Sequence, residues 1–282
     1  MSSSGIVRQS VRDRDGVSPF DPLWSRVRLD ALAVIEADPA MSGLMQHAVL
    51  NHDDFAHAVA ARVASRLARP AFDYECLYQQ FCKLIDQVPA MVEGMAADCL
   101  AVLDRDPACT RLLEPLLYFK GFHALQTHRF AHHLWQVGRK DFALYLQACS
   151  SEIFQTDIHP QARIGQGVFL DHATGLVVGS TAVIEDDVSI LQGVTLGGTG
   201  KETGDRHPKI RRGVLIGAGA KILGNIEIGH CARVAAGSVV LHAVPHNMTV
   251  AGVPARVVGE AGCAEPARSM DQILADKQIE NV

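Results

Sequence analysis

One aliphatic residue stands at every sixth position through most of the second half of this chain. The run is interrupted by a two-residue slip after Leu170 and by a longer insertion after Leu196. A small or β-branched residue follows each aliphatic residue four positions later. The pattern predicts a solenoid in which each six-residue unit gives one short strand and one corner. The thirteen aliphatic positions are Ile158, Ile164, Leu170, Val178, Ile184, Ile190, Leu196, Ile210, Ile216, Ile222, Ile228, Val234 and Val240.

Three such units make one triangular coil, so residues eighteen positions apart are predicted to lie above one another. Glycines within the repeats, such as Gly165 and Gly217, suit tight turns at the corners. This half resembles the left-handed parallel β-helix of hexapeptide-repeat acyltransferases, which typically form trimers. Its left-handed crossovers are an exception to the usual right-handed rule. Because one fold supports many reactions, the repeat alone predicts architecture and not function.

The first half of the chain follows a helical period. From Asp21 to about Phe154, apolar residues recur every three to four positions, and Asp21 followed by Pro22 reads as an N-cap with proline at the first helical position. The predicted fold class is therefore α+β, with an N-terminal all-helical domain followed by a left-handed parallel β-helix of hexapeptide repeats. The predicted segments are a disordered N-terminus at 1–20, a helical oligomerisation domain at 21–155, the β-helix acetyltransferase domain at 156–260 and a flexible tail at 261–282.

Charge and composition exclude some classes of partner. The formal net charge is -5 and the pI is about 6.2, so no global field attracts nucleic acid or an anionic membrane surface. The first sixteen residues are polar and charged, and no later window has the apolar length that spans a bilayer. Seven scattered cysteines form no CxxC pair. These features predict a soluble, cytoplasmic protein with reduced thiols and with no nucleic-acid or membrane partner.

Several longer motifs narrow the function. The segments DIHPQARIG, LDHATG, SILQGVTLGGTGKETGDRHPKI, IGAGAKILGNIEIG and AGVPARVVG together resemble the serine O-acetyltransferases. The resemblance continues into the helical half through RDPA at 105–108 and PLLYFKGFHALQTHR at 115–129, and it is dense from about residue 100 to 260. It implies transfer of an acetyl group from the cosubstrate acetyl-CoA to the hydroxyl of L-serine, which gives O-acetyl-L-serine and CoA, the first step of cysteine biosynthesis.

That reaction needs a base, because an alcohol is a poor nucleophile until its proton is being removed. A neutral imidazole suits the task near physiological pH, and a carboxylate on its far nitrogen would fix the tautomer and stabilise the imidazolium. The resemblance implies that His172 is this base and that Asp157 is its orienting partner. The alternative is that both are corner residues facing water.

Serine carries an ammonium and a carboxylate, so its pocket should offer acidic and basic groups. The resemblance implies that Asp106 and Asp171 face the ammonium, and that Arg206 and His207 face the carboxylate. The last two come from the insertion at 199–209, whose polar residues cannot fill a solenoid interior and which is predicted to project as a loop. Asp106 has a second interpretation, as a helix-breaking Asp-Pro.

The pantetheine arm of acetyl-CoA carries amides that are best met by exposed backbone along a smooth surface. Ala218 and Ala236 are eighteen residues apart and should stack on successive coils. The resemblance implies that they line the CoA groove with Gly198 and Thr199, between two subunits of a trimer. Alternatively, these small residues only satisfy the turns.

Family resemblance also implies partners and regulation. These are a homo-hexamer built as a dimer of trimers, inhibition by L-cysteine at the serine site, and capture of the C-terminus by O-acetylserine sulfhydrylase. Relatives that bind the sulfhydrylase end in isoleucine, whereas this chain ends in Val282, so weaker binding is expected. Ser180 stands where an acidic residue is expected, and no role is assigned to it.

Rival interpretations remain at the level of sequence. An acetyltransferase for another small hydroxyl or amine acceptor would need a different pocket. A zinc enzyme resembling γ-carbonic anhydrase would need three histidine ligands, and a non-catalytic trimeric scaffold would not need the DHATG or GDRHP segments. His128 and His132 have i, i+4 spacing, but no third ligand accompanies them, so they are read as packing residues and no metal is expected.

Overall fold

Residues 21–200 and 203–274 are described by the computed structural model of the chain. The predictions for residues 1–20 and for the last eight residues of the tail lie outside the described residues. The helices of the N-terminal half are α1 (Pro22–Ala37), α2 (Ser42–Met45), α3 (Phe55–Leu67), α4 (Tyr74–Gln87), α5 (Pro89–Arg105), α6 (Leu113–Tyr118), α7 (Lys120–Gln136) and α8 (Lys140–Phe154). A 3₁₀ turn (Pro39–Met41) and a π turn (Gln46–Leu50) flank α2.

Helix boundaries follow the capping chemistry of the sequence. The Asp21 carboxylate accepts the backbone N–H groups of Leu23 and Trp24 at 3.1 Å, and Pro22 opens α1. Helix α5 begins at Pro89 and ends before Asp106, where the following proline disfavours helical backbone. The last helix of the N-terminal half ends at Phe154 and the first strand begins at Thr156.

The second half forms three sheets wound into a solenoid. The strands are β1 (Thr156–Ile158), β2 (Arg163–Ile164), β3 (Phe169–Leu170), β4 (Leu176–Val178), β5 (Val183–Ile184), β6 (Ser189–Ile190), β7 (Thr195–Gly197), β8 (Lys209–Ile210), β9 (Leu215–Ile216), β10 (Lys221–Leu223), β11 (Glu227–Ile228), β12 (Arg233–Val234), β13 (Val239–Val240), β14 (Met248–Gly252) and β15 (Ala255–Glu260). The first sheet is β1-β4-β7-β10-β13, the second is β2-β5-β8-β11 and the third is β3-β6-β9-β12-β14-β15. The sheets are parallel throughout, except that β15 pairs antiparallel with β14. Helices followed by a β-solenoid of hexapeptide repeats confirm the predicted architecture.

Strand register explains the six-residue period. Val178 pairs with Leu196, and Ile222 pairs with Val240, each eighteen residues on. Across the longer insertion the offset grows, as between Ile184 and Ile210, but the aliphatic positions stay aligned. Twelve of the thirteen positions are buried, and Ile164 is half-buried. The interior of the solenoid is therefore a stack of aliphatic side chains.

A buried carboxylate joins the helices to the solenoid. Asp98 of α5 is fully buried, and its Oδ2 accepts from Arg129 at 2.8 Å and from Gln126 at 3.0 Å, both on α7. Its Oδ1 accepts the backbone N–H of Val168 at 3.1 Å, and Arg129 also donates to the Gly165 carbonyl at 2.7 Å. Burial raises the pKa of Asp98, and the Arg129 guanidinium opposes that shift. Loss of Asp98 or of Arg129 would leave the other charge buried without its partner.

The segment after β15 returns to the body of the protein. A short helix, α9, spans Pro266–Ser269 and ends before Met270, whose φ is positive. Arg268 pairs with Asp104 of α5 at 2.8 Å, and the Ala267 carbonyl accepts from Ser189 at 2.7 Å. The described part of the tail is therefore anchored to α5 and to the third sheet.

Two further observations bear on the sequence predictions. All seven cysteines are free thiols, three of them buried. Among the described residues, no helix combines the length and the apolar character needed to cross a bilayer.

The buried imidazole of His123, in the first turn of α7, is expected to make the fold sensitive to acid. Its side chain is fully buried, Nε2 donates to the Leu116 carbonyl at 2.7 Å, and burial lowers its pKa to about 3. Between that value and the unfolded value of 6.5 the unfolded chain binds the extra proton, so stability falls as pH falls through this window. The expected slope is about 1.4 kcal/mol per pH unit for this group. Thermal denaturation of wild type and His123→Gln between pH 7 and 5 should show a shallower dependence in the variant, whereas equal slopes would contradict the assignment.

Candidate active site

The turn at 171–175 carries two residues in an unfavourable backbone conformation. His172 and Ala173 have φ of 54° and 58°, in the left-handed region that side chains with a Cβ rarely adopt. Each such residue costs roughly 1–2 kcal/mol. These two residues are the two-residue slip seen in the sequence, and they link β3 of the third sheet to β4 of the first. Strain of this kind is typical of functional sites.

Neighbouring elements hold this turn. Thr156 donates its hydroxyl to the Ala173 carbonyl at 3.2 Å, and the Gly175 N–H donates to the Gln155 carbonyl at 2.7 Å. The Lys120 ammonium, at the start of α7, donates to the Thr174 hydroxyl. Next to it, a Cβ added to Gly121 would lie 2.0 Å from the Leu170 carbonyl oxygen, so only glycine lets α7 approach this closely.

His172 projects from the turn into solvent. Its side chain is 74% exposed, and its Nε2 lies 3.7 Å from Oδ1 of Asp171. Burial raises the pKa of Asp171, the nearby Asp106 carboxylate raises it further, and His172 opposes the shift. The structure thus gathers three predicted site residues, Asp106, Asp171 and His172, at one place.

Asp106 reaches this place because α5 ends there. Its Oδ1 accepts the Ala108 N–H at 2.8 Å, so the Asp-Pro pair ends the helix as its second interpretation predicts. The preceding Arg105 is buried and donates to the Ser189 hydroxyl at 3.0 Å, which fixes the end of α5 on β6. Sequence reasoning missed Arg105, although it is the first residue of the RDPA segment.

Asp157 is not paired with His172 in this structure. Its Oδ1 accepts from the side-chain amide of Gln147 at 2.6 Å. In the part of the chain that the structure describes, no hydrogen bond or ion pair links Asp157 to the imidazole, which faces Asp171 instead. The expected contact therefore requires the exposed ring of His172 to turn. The Gln147 contact was missed because nothing in the sequence distinguishes this residue from other polar helix positions.

His207 and Arg206 lie at a different corner, where strands of the first sheet lead into the second. Thr181 Oγ1 accepts the N–H groups of Arg206 and His207, at 3.0 and 3.2 Å, and lies 2.8 Å from His207 Nδ1. The Thr181 N–H also donates to Nδ1 at 3.2 Å, which leaves the ring proton of the neutral imidazole on Nε2. Burial lowers the pKa of His207, and Arg206 and Lys209 lower it further. The imidazole is therefore held neutral and fixed.

The four predicted CoA residues divide between the two corners. Gly198 packs under the side chain of Arg206, and Thr199 follows it in the insertion. Ala218 and Ala236 lie on the His172 corner, on the coils farther along the solenoid. There the Gly237 N–H donates to the Ala218 carbonyl at 2.8 Å, so the two alanines stack as predicted from their spacing.

That corner presents a smooth surface. Glycines stack in a column from coil to coil along it. In the last two coils the glycine follows Ala218 or Ala236. The column leads from the strained turn toward Ala236, which suits an extended chain with amide groups. The glycines are Gly175, Gly193, Gly219 and Gly237.

The predicted site residues therefore form two half-sites on one chain. The His172 half-site contains Asp106, Asp171, His172, Ala218 and Ala236. The loop half-site contains Gly198, Thr199, Arg206 and His207. The first sheet lies between them, because one half-site stands where its strands begin and the other where they end.

Two histidines of α7 are engaged in packing and hydrogen bonding. His128 is buried, and His132 Nδ1 donates to the Pro160 carbonyl at 2.8 Å. Burial lowers the pKa of both imidazoles. Within residues 21–200 and 203–274, no group of three or more His, Cys, Asp or Glu side chains is arranged to hold a metal ion.

Gly179 supports the ring of His207, which gives a test of the loop half-site. A Cβ at Gly179 would lie 2.0 Å from His207 Cδ2, so Gly179→Ala must displace the imidazole. We expect serine-dependent acetyl transfer to fall at least roughly tenfold, since small displacements of binding groups are costly in rate. Gly43→Ala is the matched control, because no atom lies within 4 Å of the added Cβ. Steady-state kinetics check both variants, and unchanged turnover in Gly179→Ala would exclude the predicted role of His207.

Comparisons with known proteins identify the family of the chain. Residues 23–127 match the family described as serine acetyltransferase, N-terminal, and residues 207–242 match the bacterial transferase hexapeptide family. The serine acetyltransferase of Salmonella typhimurium is 51% identical over 250 residues, 89% of this chain and 92% of the relative. That of Haemophilus influenzae is 50% identical and covers 89% and 94%.

Solved structures extend the likeness to the fold. The serine acetyltransferase of Brucella abortus in complex with coenzyme A superimposes with a TM-score of 0.85 at 59% identity, covering 86% of this chain and 98% of that one. A serine acetyltransferase in complex with cysteine gives a TM-score of 0.88 at 49% identity and covers 90% and 98%. With its helical domain, its hexapeptide solenoid and this level of identity, the chain belongs to the serine acetyltransferase family.

Proposed function

We propose that this chain transfers the acetyl group of acetyl-CoA to the hydroxyl of L-serine, producing O-acetyl-L-serine and CoA for cysteine biosynthesis. The observation that carries the proposal is the strained turn that presents the His172 imidazole to solvent beside the carboxylates of Asp106 and Asp171. Family membership supports the choice of substrates, since relatives carry that name and one is solved with coenzyme A.

His172 is the general base in this mechanism. The neutral imidazole accepts the proton of the serine hydroxyl while the hydroxyl oxygen attacks the thioester carbonyl carbon. Collapse of the tetrahedral intermediate breaks the carbon–sulfur bond, and the CoA sulfur leaves and takes up the proton. Asp157 stabilises the imidazolium once the ring has turned toward it. Such base assistance contributes roughly 10² to 10⁴ in rate.

Electrostatics supports the assignment of the ammonium side. Asp171 is half-buried, and the Asp106 carboxylate beside it adds to the cost of ionising it. A substrate ammonium between them would relieve that repulsion and favour the ionised carboxylates. Arg206, with the neutral His207 beside it, would meet the substrate carboxylate.

We propose that the complete site forms between two chains. The two half-sites lie at opposite ends of the strands of the first sheet. In a trimer, the His172 corner of one subunit would therefore meet the loop corner of its neighbour. Two trimers then join through the helical domains into a hexamer. Leu29 and Leu32 of α1 support this step, because they are 66% and 51% exposed and would be covered at such an interface.

A shared site predicts complementation between two defective chains. His172→Ala and Arg206→Ala are each expected to lose most activity alone. When both are co-expressed in equal amounts and assemble at random, about a quarter of all subunit interfaces pair an intact His172 corner with an intact loop corner. Turnover near a quarter of wild type is therefore expected, whereas no recovery over the separate variants would mean that each site is built within one chain.

L-Cysteine is proposed as a feedback inhibitor at the serine site. It differs from serine only in sulfur for oxygen, so the same ammonium and carboxylate contacts serve both. The related structure in complex with cysteine supports this. Acetyl-CoA is proposed to lie along the glycine column between Ala218 and Ala236 of one chain and Gly198 and Thr199 of the next.

A cytoplasmic location and binding of the C-terminus by O-acetylserine sulfhydrylase are further proposals. Val282 and the seven residues before it lie outside the described residues. The partner can be tested by recovery of purified sulfhydrylase on the full-length chain and on a chain ending at Leu274. Recovery only by the full-length chain is expected, and equal recovery by both would remove this partner.

The reaction itself is tested by following O-acetylserine directly, with and without L-cysteine. Wild type should form it in a serine-dependent reaction that cysteine suppresses, and His172→Ala should be slower by roughly 10² to 10⁴. The variant must keep the wild-type circular dichroism spectrum and oligomeric state. A folded His172→Ala protein with near-wild-type turnover would exclude the base assignment, and absence of product in wild type would point to a different acceptor.

A further inference from the structure

A single hydrogen bond connects helix α8 to the carboxylate proposed to orient the base. The Gln147 side-chain amide donates to Asp157 Oδ1 at 2.6 Å in a partly buried position. Gln147 lies in the middle of α8, and the helix runs into β1 through Gln155, whose φ of 57° turns the chain directly from helix to strand. The helical domain therefore holds the Asp157 carboxylate from outside the solenoid.

Asp157 and His172 also belong to one connected unit. Thr156 and Gln155, the residues just before Asp157, bond to the turn that carries His172, at 3.2 Å to Ala173 and 2.7 Å to Gly175. Asp157 pairs with Val177 on β4, the strand that this turn leads into. The carboxylate and the imidazole are thus fixed to the same part of the backbone.

We infer that Gln147 is a positioning residue for the acetyl transfer proposed above, on which this inference rests. Because Gln147 occupies Oδ1, the carboxylate plane is fixed and Oδ2 is left to accept the N–H of His172 when the ring turns toward it. The amide is neutral, so it orients the carboxylate without cancelling the charge that stabilises the imidazolium. A lysine or arginine at this position would weaken that charge.

The same contact is not needed to hold α8 in place. Ser150 donates to the Thr156 carbonyl at 3.2 Å and already ties the end of α8 to β1. The buried side chains of α8, including Leu146 and Phe154, anchor the helix in the core. Removal of the amide should therefore leave the fold intact.

The experiment compares Gln147→Leu, which keeps an uncharged side chain of similar bulk and removes the donor, with the isosteric Gln147→Glu. Gln79→Leu is the control, because the Gln79 amide also donates to a carboxylate, that of Glu75 at 2.8 Å, but on the exposed surface of α4 and outside the site. For both Gln147 variants kcat should fall roughly tenfold or more, with KM for serine and acetyl-CoA within twofold of wild type. Gln79→Leu should match wild type.

The same substitution is then made in a chain carrying Asp157→Ala. If Gln147 acts through Asp157, Gln147→Leu should have no further effect there. Wild-type kcat in both Gln147 variants, or an equal loss in the Asp157→Ala background, would overturn the inference. Failure of the proposed function gives a different result, since wild type would then form no O-acetylserine. The role inferred for Gln147 would then be excluded as well.

Discussion

The hydrogen bonds of the buried Asp98 carboxylate are the interaction on which the rest of the site depends. It joins α5, α7 and the first coil through Arg129, Gln126 and the backbone of Val168. A solenoid alone presents only repeated strands and turns. Once the helices are fixed on it, the end of α5 supplies Asp106, the start of α7 supports the strained turn, and α8 reaches Asp157. The proposed site therefore depends on the interface between the helices and the solenoid rather than on either part alone.

Departures from the repeat supply most of the residues that are proposed to carry out the reaction. The two-residue slip creates the turn of His172, and the longer insertion supplies Arg206 and His207. The uninterrupted coils give only the glycine column and the flanking alanines, which suit an extended cosubstrate. A division of labour follows, in which the regular repeat provides a rigid surface and its two interruptions provide the reactive and polar groups. Because the interruptions lie at opposite ends of the strands of one sheet, assembly of several chains becomes part of the proposed catalytic mechanism.

Much of this could be predicted from the sequence, for a physical reason. A six-residue period fixes which side chains point inward, so the core and the stacking of Ala218 on Ala236 follow directly. The proximity of Asp106 to Asp171 was available only through family resemblance, because it depends on how α5 docks. Hydrogen-bond partners of side chains were the hardest feature to predict from the sequence. The Gln147 bond to Asp157, the anchoring of Arg105 on Ser189 and the direction of the His172 ring depend on rotamers that no spacing in the sequence encodes.

The most direct test of the account is a crystal structure with L-serine and CoA bound. The account predicts the serine hydroxyl within hydrogen-bond distance of the His172 imidazole, which has turned toward Asp157. It also predicts the ammonium between Asp106 and Asp171 of that chain, and the carboxylate against Arg206 and His207 of the neighbouring chain. Serine bound away from His172, or held entirely by groups of one chain, would contradict it.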